Sequence, residues 1–137
     1  MINNPSDKEI CEILKNSKNI AVLGISRNPT RTSRAIADYL INHGYTVVGV
    51  NPGFTEVNGI KVYPSLKDIP FDIDIVDVFR RSESIDEIIP DVLVKKPKVL
   101  WLQLGIRNDS AVTPAKEEGI TVVQDQCIKV EHQHCSW

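Results

Sequence analysis

The sequence predicts an α/β protein in which a five-stranded parallel sheet lies between two layers of helices. Three observations carry that expectation. Residues 20–25 (IAVLGI) and 46–50 (TVVGV) are apolar throughout rather than alternating, as strands buried on both faces are. Segments of helical spacing stand between such runs. The connections are short and rich in turn formers, Asn51-Pro52-Gly53 among them.

The elements follow in order. Residues 7–17 place Ile10, Ile13 and Leu14 on one helical face, with Ser6 as N-cap. Residues 20–25 form the first strand, ended by Ser26. Residues 32–42 bring Ile36, Tyr39 and Leu40 to one face, and Gly44 stops that helix. Residues 46–50 are the second strand. "GIKVYPSLKDIP" reads as a short extended piece and one helical turn. Residues 74–79 (DIVDVF) are the third strand. Ser84 and Glu87 match a capping box, and Pro90 then kinks or shortens the helix they begin. Residues 98–104 (KVLWLQL) are the fourth strand. The next helix starts at Asn108 or Asp109, or else at Thr113-Pro114, and ends at Gly119. Residues 120–125 are the fifth strand, and the tail from Gln126 shows no period. With right-handed crossovers this gives one three-layer Rossmann-like domain over residues 1–137, of strand order 3-2-1-4-5, its crevice between strands 1 and 4.

Composition narrows the function. The 137 residues are 42% hydrophobic and 25% charged with a net charge of −2, which gives no general attraction to nucleic acid or anionic membrane. No apolar run has the length of a membrane span. The polar start lacks a signal-peptide apolar region. The three cysteines, Cys11, Cys127 and Cys135, are too few and odd for a disulfide scaffold and point to a reducing cytoplasm.

Ligands of such sheets bind at the carboxyl ends of the strands, and all the arginines follow that edge. Arg27, Arg31 and Arg34 come after strand 1, Arg80 and Arg81 after strand 3, Arg107 after strand 4, and no lysine lies in those segments. The guanidinium fork matches phosphate oxygens. Gly24 admits close approach of backbone to a ligand, Ser26, Thr32 and Ser33 add hydroxyls, and a helix N-terminus adds free N–H groups. Together these form a diphosphate cradle. The second strand ends in Asn51 and not in the acid that holds an NAD ribose, and neither G-x-G-x-x-G nor a P-loop is present.

In this order, "AVLGISRNPTRTS", "GVNPG", "VNGIKVYPSLKDIP", "DIVDVFRRSE", "LWLQLGI" and "VVQDQCIKVEH" resemble the small stand-alone CoA-binding domain proteins, which are similar to the N-terminal domain of the succinyl-CoA synthetase alpha subunit. The resemblance implies coenzyme A as ligand. Gly24, Ile25 and Ser26 with Arg31, Thr32, Ser33 and Arg34 would hold its phosphates. Asn51 and Pro52 would line the nucleotide side, Val78, Phe79 and Arg80 would flank the adenine, and Gln103, Leu104 and Gly105 would border the pantetheine exit.

No catalytic constellation is visible. The histidine that performs phosphoryl chemistry in acyl-CoA synthetases comes from another domain. His43 reads as a helix C-terminal residue, and Asp77, within the third strand beyond Asp72 and Asp74, calls for a hydroxyl or amide partner. Cys127, His132, His134 and Cys135 fit no zinc spacing, so no metal is expected. Cys127 lies past strand 5 at the ligand edge, where a CoA thiol could reach it; a buried, inert cysteine is the plainer reading. The expected role is a carrier, sensor or accessory subunit for CoA or an acyl-CoA. An NADP-binding redox module and a CoA-dependent enzyme subunit needing a partner chain are the alternatives, and a homodimer is left open.

Overall fold

In the computed structural model, which describes residues 2–136, the elements run α1 (Asp7–Asn16), β1 (Asn19–Leu23), α2 (Thr32–Asn42), β2 (Thr46–Val50), β3 (Glu56–Val57), β4 (Ile60–Tyr63), β5 (Ile75–Val78), α3 (Ile89–Lys95), β6 (Val99–Leu102), α4 (Asp109–Glu117), β7 (Thr121–Val123) and α5 (Ile128–His134). Trp137, to which the sequence assigns no role, lies outside the described residues.

α1 begins where its cap demands. The Glu9 amide donates to the Ser6 hydroxyl at 3.2 Å and the Ser6 amide to the Glu9 carboxylate at 3.1 Å, the reciprocal pair of a capping box. The Gln126 tail without period contains α5. Its first amide, that of Ile128, donates to the Gln103 side chain at 3.0 Å. Pro90 sits in the first turn of α3, where a missing N–H is harmless, so it starts a helix instead of kinking one. The expected capping box at Ser84 lies in the 3₁₀ turn Ser82–Glu87. α4 starts at Asn108, whose side chain accepts from the Ala111 amide, and runs through Pro114.

The fold is α/β and Rossmann-like, but the expected strand count and order are corrected. The sheet has seven strands in the order β3-β4-β2-β1-β5-β6-β7, parallel except between β3 and β4. The cause is "VNGI". Asn58 (φ 49°) and Gly59 (φ 82°) both take left-handed backbone, as a two-residue hairpin turn requires, and fold β3 onto β4. β4 then pairs with β2 (Gly49↔Val62, Val50↔Tyr63). That occupies the place expected for the third strand, which as β5 pairs instead with the other edge of β1 (Ile20↔Ile75, Val22↔Asp77). The crevice therefore opens over the ends of β1 and β5, not beside the strand expected fourth.

Both faces of the sheet are covered. Leu23, Val50, Val76, Val78, Leu100 and Leu102 pack with Val92, Val112 and Ala115 of α3 and α4. On the other face Ile20, Ile75, Trp101 and Val123 pack with Leu14, Ile36, Leu40 and Ile128 of α1, α2 and α5.

The cysteine reading is also corrected. Cys11 of α1 and Cys135, which ends α5, form a disulfide across a sequence separation of 124, with Cα atoms 5.6 Å apart. Two helices distant in sequence share one layer, which spacing along the chain does not reveal. Cys127 is unpaired. Closing so long a loop stabilises by about 2–5 kcal/mol. Reductant or Cys11→Ser should therefore lower the melting temperature by roughly 5 °C or more. Identical melting curves with and without reductant would show that the pair does not stabilise the fold.

Candidate functional site

At the end of β1 the chain turns sharply. The Gly24 amide donates to the Val50 carbonyl at 2.9 Å, and Gly24 has φ +92°. A Cβ there would stand 2.7 Å from the Phe79 carbonyl oxygen. The glycine is thus required by the close approach of the loop after β5, whatever a ligand does.

The loop beyond is held by its own hydroxyls. The Ser26 amide donates to Ser33 Oγ at 3.1 Å, the Asn28 amide to Ser26 Oγ at 3.0 Å, and the Thr30 amide to Asn28 Oδ1 at 3.0 Å. Arg31 is the N-cap of α2, and no side chain caps that helix start. The Arg34 amide donates to the Arg31 carbonyl at 3.1 Å, and the Thr32 and Ser33 N–H groups ahead of it sit at the positive end of the dipole without a side-chain cap. Asn51 clamps the loop from β2: Nδ2 donates to the Ile25 carbonyl at 3.0 Å, and Oδ1 accepts from the Gly53 amide at 2.8 Å.

These loops enclose a cleft of about 740 Å³, lined by Gly24, Ile25, Ser26, Arg27, Asn28, Arg31, Thr32, Ser33, Asn51, Gly53, Phe54 and Phe79. No carboxylate is among them. The Arg27 guanidinium lies over the Phe54 ring, 5.1 Å from its centroid. Arg34 stands behind the loop and is only 6% exposed. Its Nη1 donates to the Arg27 carbonyl at 3.0 Å, and its Nε has no partner among the described residues. Among the described residues the ion pairs are Arg81–Glu83, Lys98–Asp74 and Arg107–Asp109. None involves an arginine of this loop.

Phe79 also lines a second cleft of about 480 Å³, with Arg80, Arg81, Ser82, Glu83, Leu104, Gly105 and Ile106. Leu104 is 69% exposed there, an apolar lip beside two arginines.

The residues singled out from sequence therefore divide. Gly24, Ile25, Ser26, Arg31, Thr32, Ser33, Asn51 and Phe79 meet at the first cleft, and Arg80 and Gly105 at the second. Val78 is buried in the sheet core. Gln103 is buried and holds the start of α5. Pro52 and Cys127 are not among the residues lining either cleft. Arg107 turns away, bonding the Ile2 carbonyl and pairing with Asp109 at 3.1 Å. Asn28, Gly53 and Phe54 went unforeseen, although Phe54 directly follows the Asn-Pro-Gly turn.

The titratable groups outside the clefts have structural surroundings. Asp77 is fully buried, and among the described residues neither carboxylate oxygen has the partner the sequence calls for. Burial raises its pKa well above the usual carboxyl value. Asp74, at the amino edge, accepts from the Lys18 and Asn19 amides at 2.8 and 2.9 Å. Those bonds, with Lys98, outweigh its partial burial and lower its pKa. His132 Nδ1 and Tyr39 Oη are 2.7 Å apart. Burial and the neighbouring His43 lower the His132 pKa. Cys135 is in the disulfide, and no group of three or more His, Cys, Asp or Glu that could hold a metal forms among the described residues. No helix there is long and apolar enough to cross a membrane.

Comparison with known proteins supplies independent findings. The family model of a CoA binding domain matches residues 18–133. The chain is 46% identical over 129 residues to the uncharacterized protein YneT of Bacillus subtilis (strain 168), covering 94% of this chain and 96% of that one. It is 32% identical over 95 residues to subunit alpha of the ADP-forming acetate–CoA ligase I of Pyrococcus furiosus, covering 65% of this chain and 21% of that subunit. The solved structure of ID.343 from Thermus thermophilus superposes with a TM-score of 0.90 at 40% identity, covering 94% of this chain and 98% of that one.

Proposed function

The chain belongs to the CoA binding domain family, and from that premise we propose that the clefts over β1 and β5 bind coenzyme A or an acyl-CoA. The observation that carries the reading is Arg34. A guanidinium so buried, in no ion pair among the described residues, leaves positive charge uncompensated behind the loop. Buried charge is costly unless paired, and a diphosphate seated on the loop would pair it. Arg27, Arg31 and the uncapped start of α2 add to the same field.

In this reading Gly24, Ile25, Ser26, Arg31, Thr32 and Ser33 hold the phosphates, and Arg34 acts on them from behind the loop. Asn51 serves the nucleotide side, with Pro52 in the turn that brings Gly53 and Phe54 to the cleft. Phe79 is the wall shared by the two clefts, flanking the adenine with Arg80, while Val78 supports it from the sheet core. Gly105 and Leu104 border the pantetheine in the second cleft, with Gln103 acting by fixing α5. Cys127 lines neither cleft and is left as a free cysteine with no assigned contact to the ligand thiol. The domain spans residues 1–137 and acts in the cytoplasm as a carrier, sensor or accessory subunit, with no chemistry of its own assigned. The acetate–CoA ligase activity belongs to a protein of which this chain matches about a fifth.

A thermal-shift titration with CoA, 3′-dephospho-CoA, NAD and NADP tests the reading. A ligand at 100 times its Kd adds about 2.7 kcal/mol, or roughly 9 °C for a domain of this size. CoA should give that shift and dephospho-CoA a smaller one. A shift by NADP and not by CoA would replace the ligand. In the same protein, Arg31→Ala is expected to weaken CoA binding by roughly 10- to 100-fold, the worth of a charge-assisted hydrogen bond. Calorimetric titration would read it, and unchanged affinity would remove Arg31 from the cradle.

A further inference from the structure

We propose that the Cys11–Cys135 disulfide is a redox device that sets the order of the phosphate loop through α5 and α2. The proposal rests on the ligand reading above only for its effect on affinity. A chain of side-chain contacts leads from one to the other. Cys135 ends α5, and the disulfide ties it to α1. α5 is held at its start by the Gln103 side chain, and Trp101 Nε1 donates to the Gln126 carbonyl just before it at 2.8 Å. Along its length it grips α2. Tyr39 Oη meets His132 Nδ1, the two rings pack edge to face at 5.4 Å, and the Lys129 ammonium lies 5.3 Å from the Tyr39 ring centroid. The opposite end of α2 is the loop anchor, where Ser33 Oγ accepts the Ser26 amide.

α5 has seven residues, too few to persist as a helix without tertiary ties. Its position depends on such ties: Gln103 and Trp101 at its start, the buried Ile128, the Tyr39–His132 contact and the disulfide at its end. Opening the disulfide releases the one covalent tie among them and raises the population in which the end of α5 detaches locally. α2 then loses the layer that covers Tyr39, and the loop it anchors loosens.

The chemistry balances with a low-molecular-weight thiol, coenzyme A itself included. One thiolate attacks a cysteine sulfur, the protein S–S bond breaks, and a mixed disulfide forms. A second thiolate releases that cysteine. The products are two cysteine thiols, which take up the two protons, and one small-molecule disulfide. The device would thus report the redox state of the thiol pool to which its ligand belongs.

The test uses full-length protein, oxidised and reduced, with Cys11→Ser as a second form of the open state. The probe is adenosine 3′-phosphate 5′-diphosphate, the thiol-free nucleotide half of CoA, so binding and exchange are not confounded. Reduced protein and Cys11→Ser should bind it at least about fivefold more weakly than the oxidised form, within the usual range of coupling. Cys11→Ser should not respond to reductant. Hydrogen exchange should quicken in α5 and in residues 26–34 together. Quickening confined to α5, with unchanged affinity, overturns the proposal, and if Cys11→Ser does not fold, reduced wild type decides alone. Failure of the oxidised protein to bind the probe would instead sink the ligand reading. The device would then stand or fall on exchange at residues 26–34.

Discussion

Gly24→Ala is expected to destabilise the protein by about 2–4 kcal/mol, from left-handed strain and overpacking combined, and to weaken CoA binding in the fraction that remains folded. At φ +92° a side chain is strained in itself, and the added Cβ would meet the Phe79 carbonyl oxygen at 2.7 Å. Neither backbone can yield cheaply. The Gly24 amide is bonded to Val50 and the Phe79 amide to the Leu23 carbonyl, both at 2.9 Å. Moving Phe79 also moves the wall that the two clefts share. Gly44→Ala is the control, for Gly44 has φ +93° and nothing within 4 Å of its added Cβ. Conformational strain alone should cost that variant about 1–2 kcal/mol. Denaturation midpoints of the two variants separate strain from collision, and equal losses would refute the collision.

Asp77→Leu is expected to stabilise the protein at pH 7 by about 1–3 kcal/mol, the cost of a buried polar group without a partner. Leucine has the same branched outline as aspartate, so the packing between Val22 and Trp101 on the neighbouring strands is little changed. The sign of the pH dependence is fixed by the raised pKa. The unfolded chain loses the Asp77 proton near the ordinary carboxyl value, while the folded chain keeps it to higher pH. Stability fully present below the unfolded pKa is therefore lost as pH rises towards the folded one. Asp74, Glu9 and Asp109 act oppositely, since their pKa values are lowered. Their contribution is present above the unfolded pKa and lost as pH falls. The difference between wild type and Asp77→Leu cancels those three and should widen upward from about pH 4. Urea midpoints across that range test it, and a constant difference would mean that Asp77 ionises alike in both states.

Much of this architecture can be read in the chain because local chemistry and tertiary need agree. α2 runs over Thr32–Asn42 as its spacing and Gly44 indicate, and the apolar runs become the central strands. The order of the sheet is misjudged at one turn, because Asn58-Gly59 lies between pieces too short to show alternation. At the edge where arginine gathers, fold logic places the residues, but their partners decide their roles. Arg107 finds the carbonyl of Ile2, 105 residues away, and Gln103 finds the amide of Ile128. No pattern along the chain carries such contacts. Asp77 shows the converse: polarity calls for a partner, and the sheet supplies none.

The staple between Cys11 and Cys135 also has a consequence for how the molecule is made. Cys11 leaves the ribosome 124 residues before its partner, an interval of roughly 6–25 s at ordinary elongation rates. Asn4, which exchanges two hydrogen bonds with the Gln124 backbone, waits almost as long. During that interval Cys11 is without its partner, and any product cut short before residue 135 never acquires it. Closure of the pair thus marks a translation product that has passed residue 135.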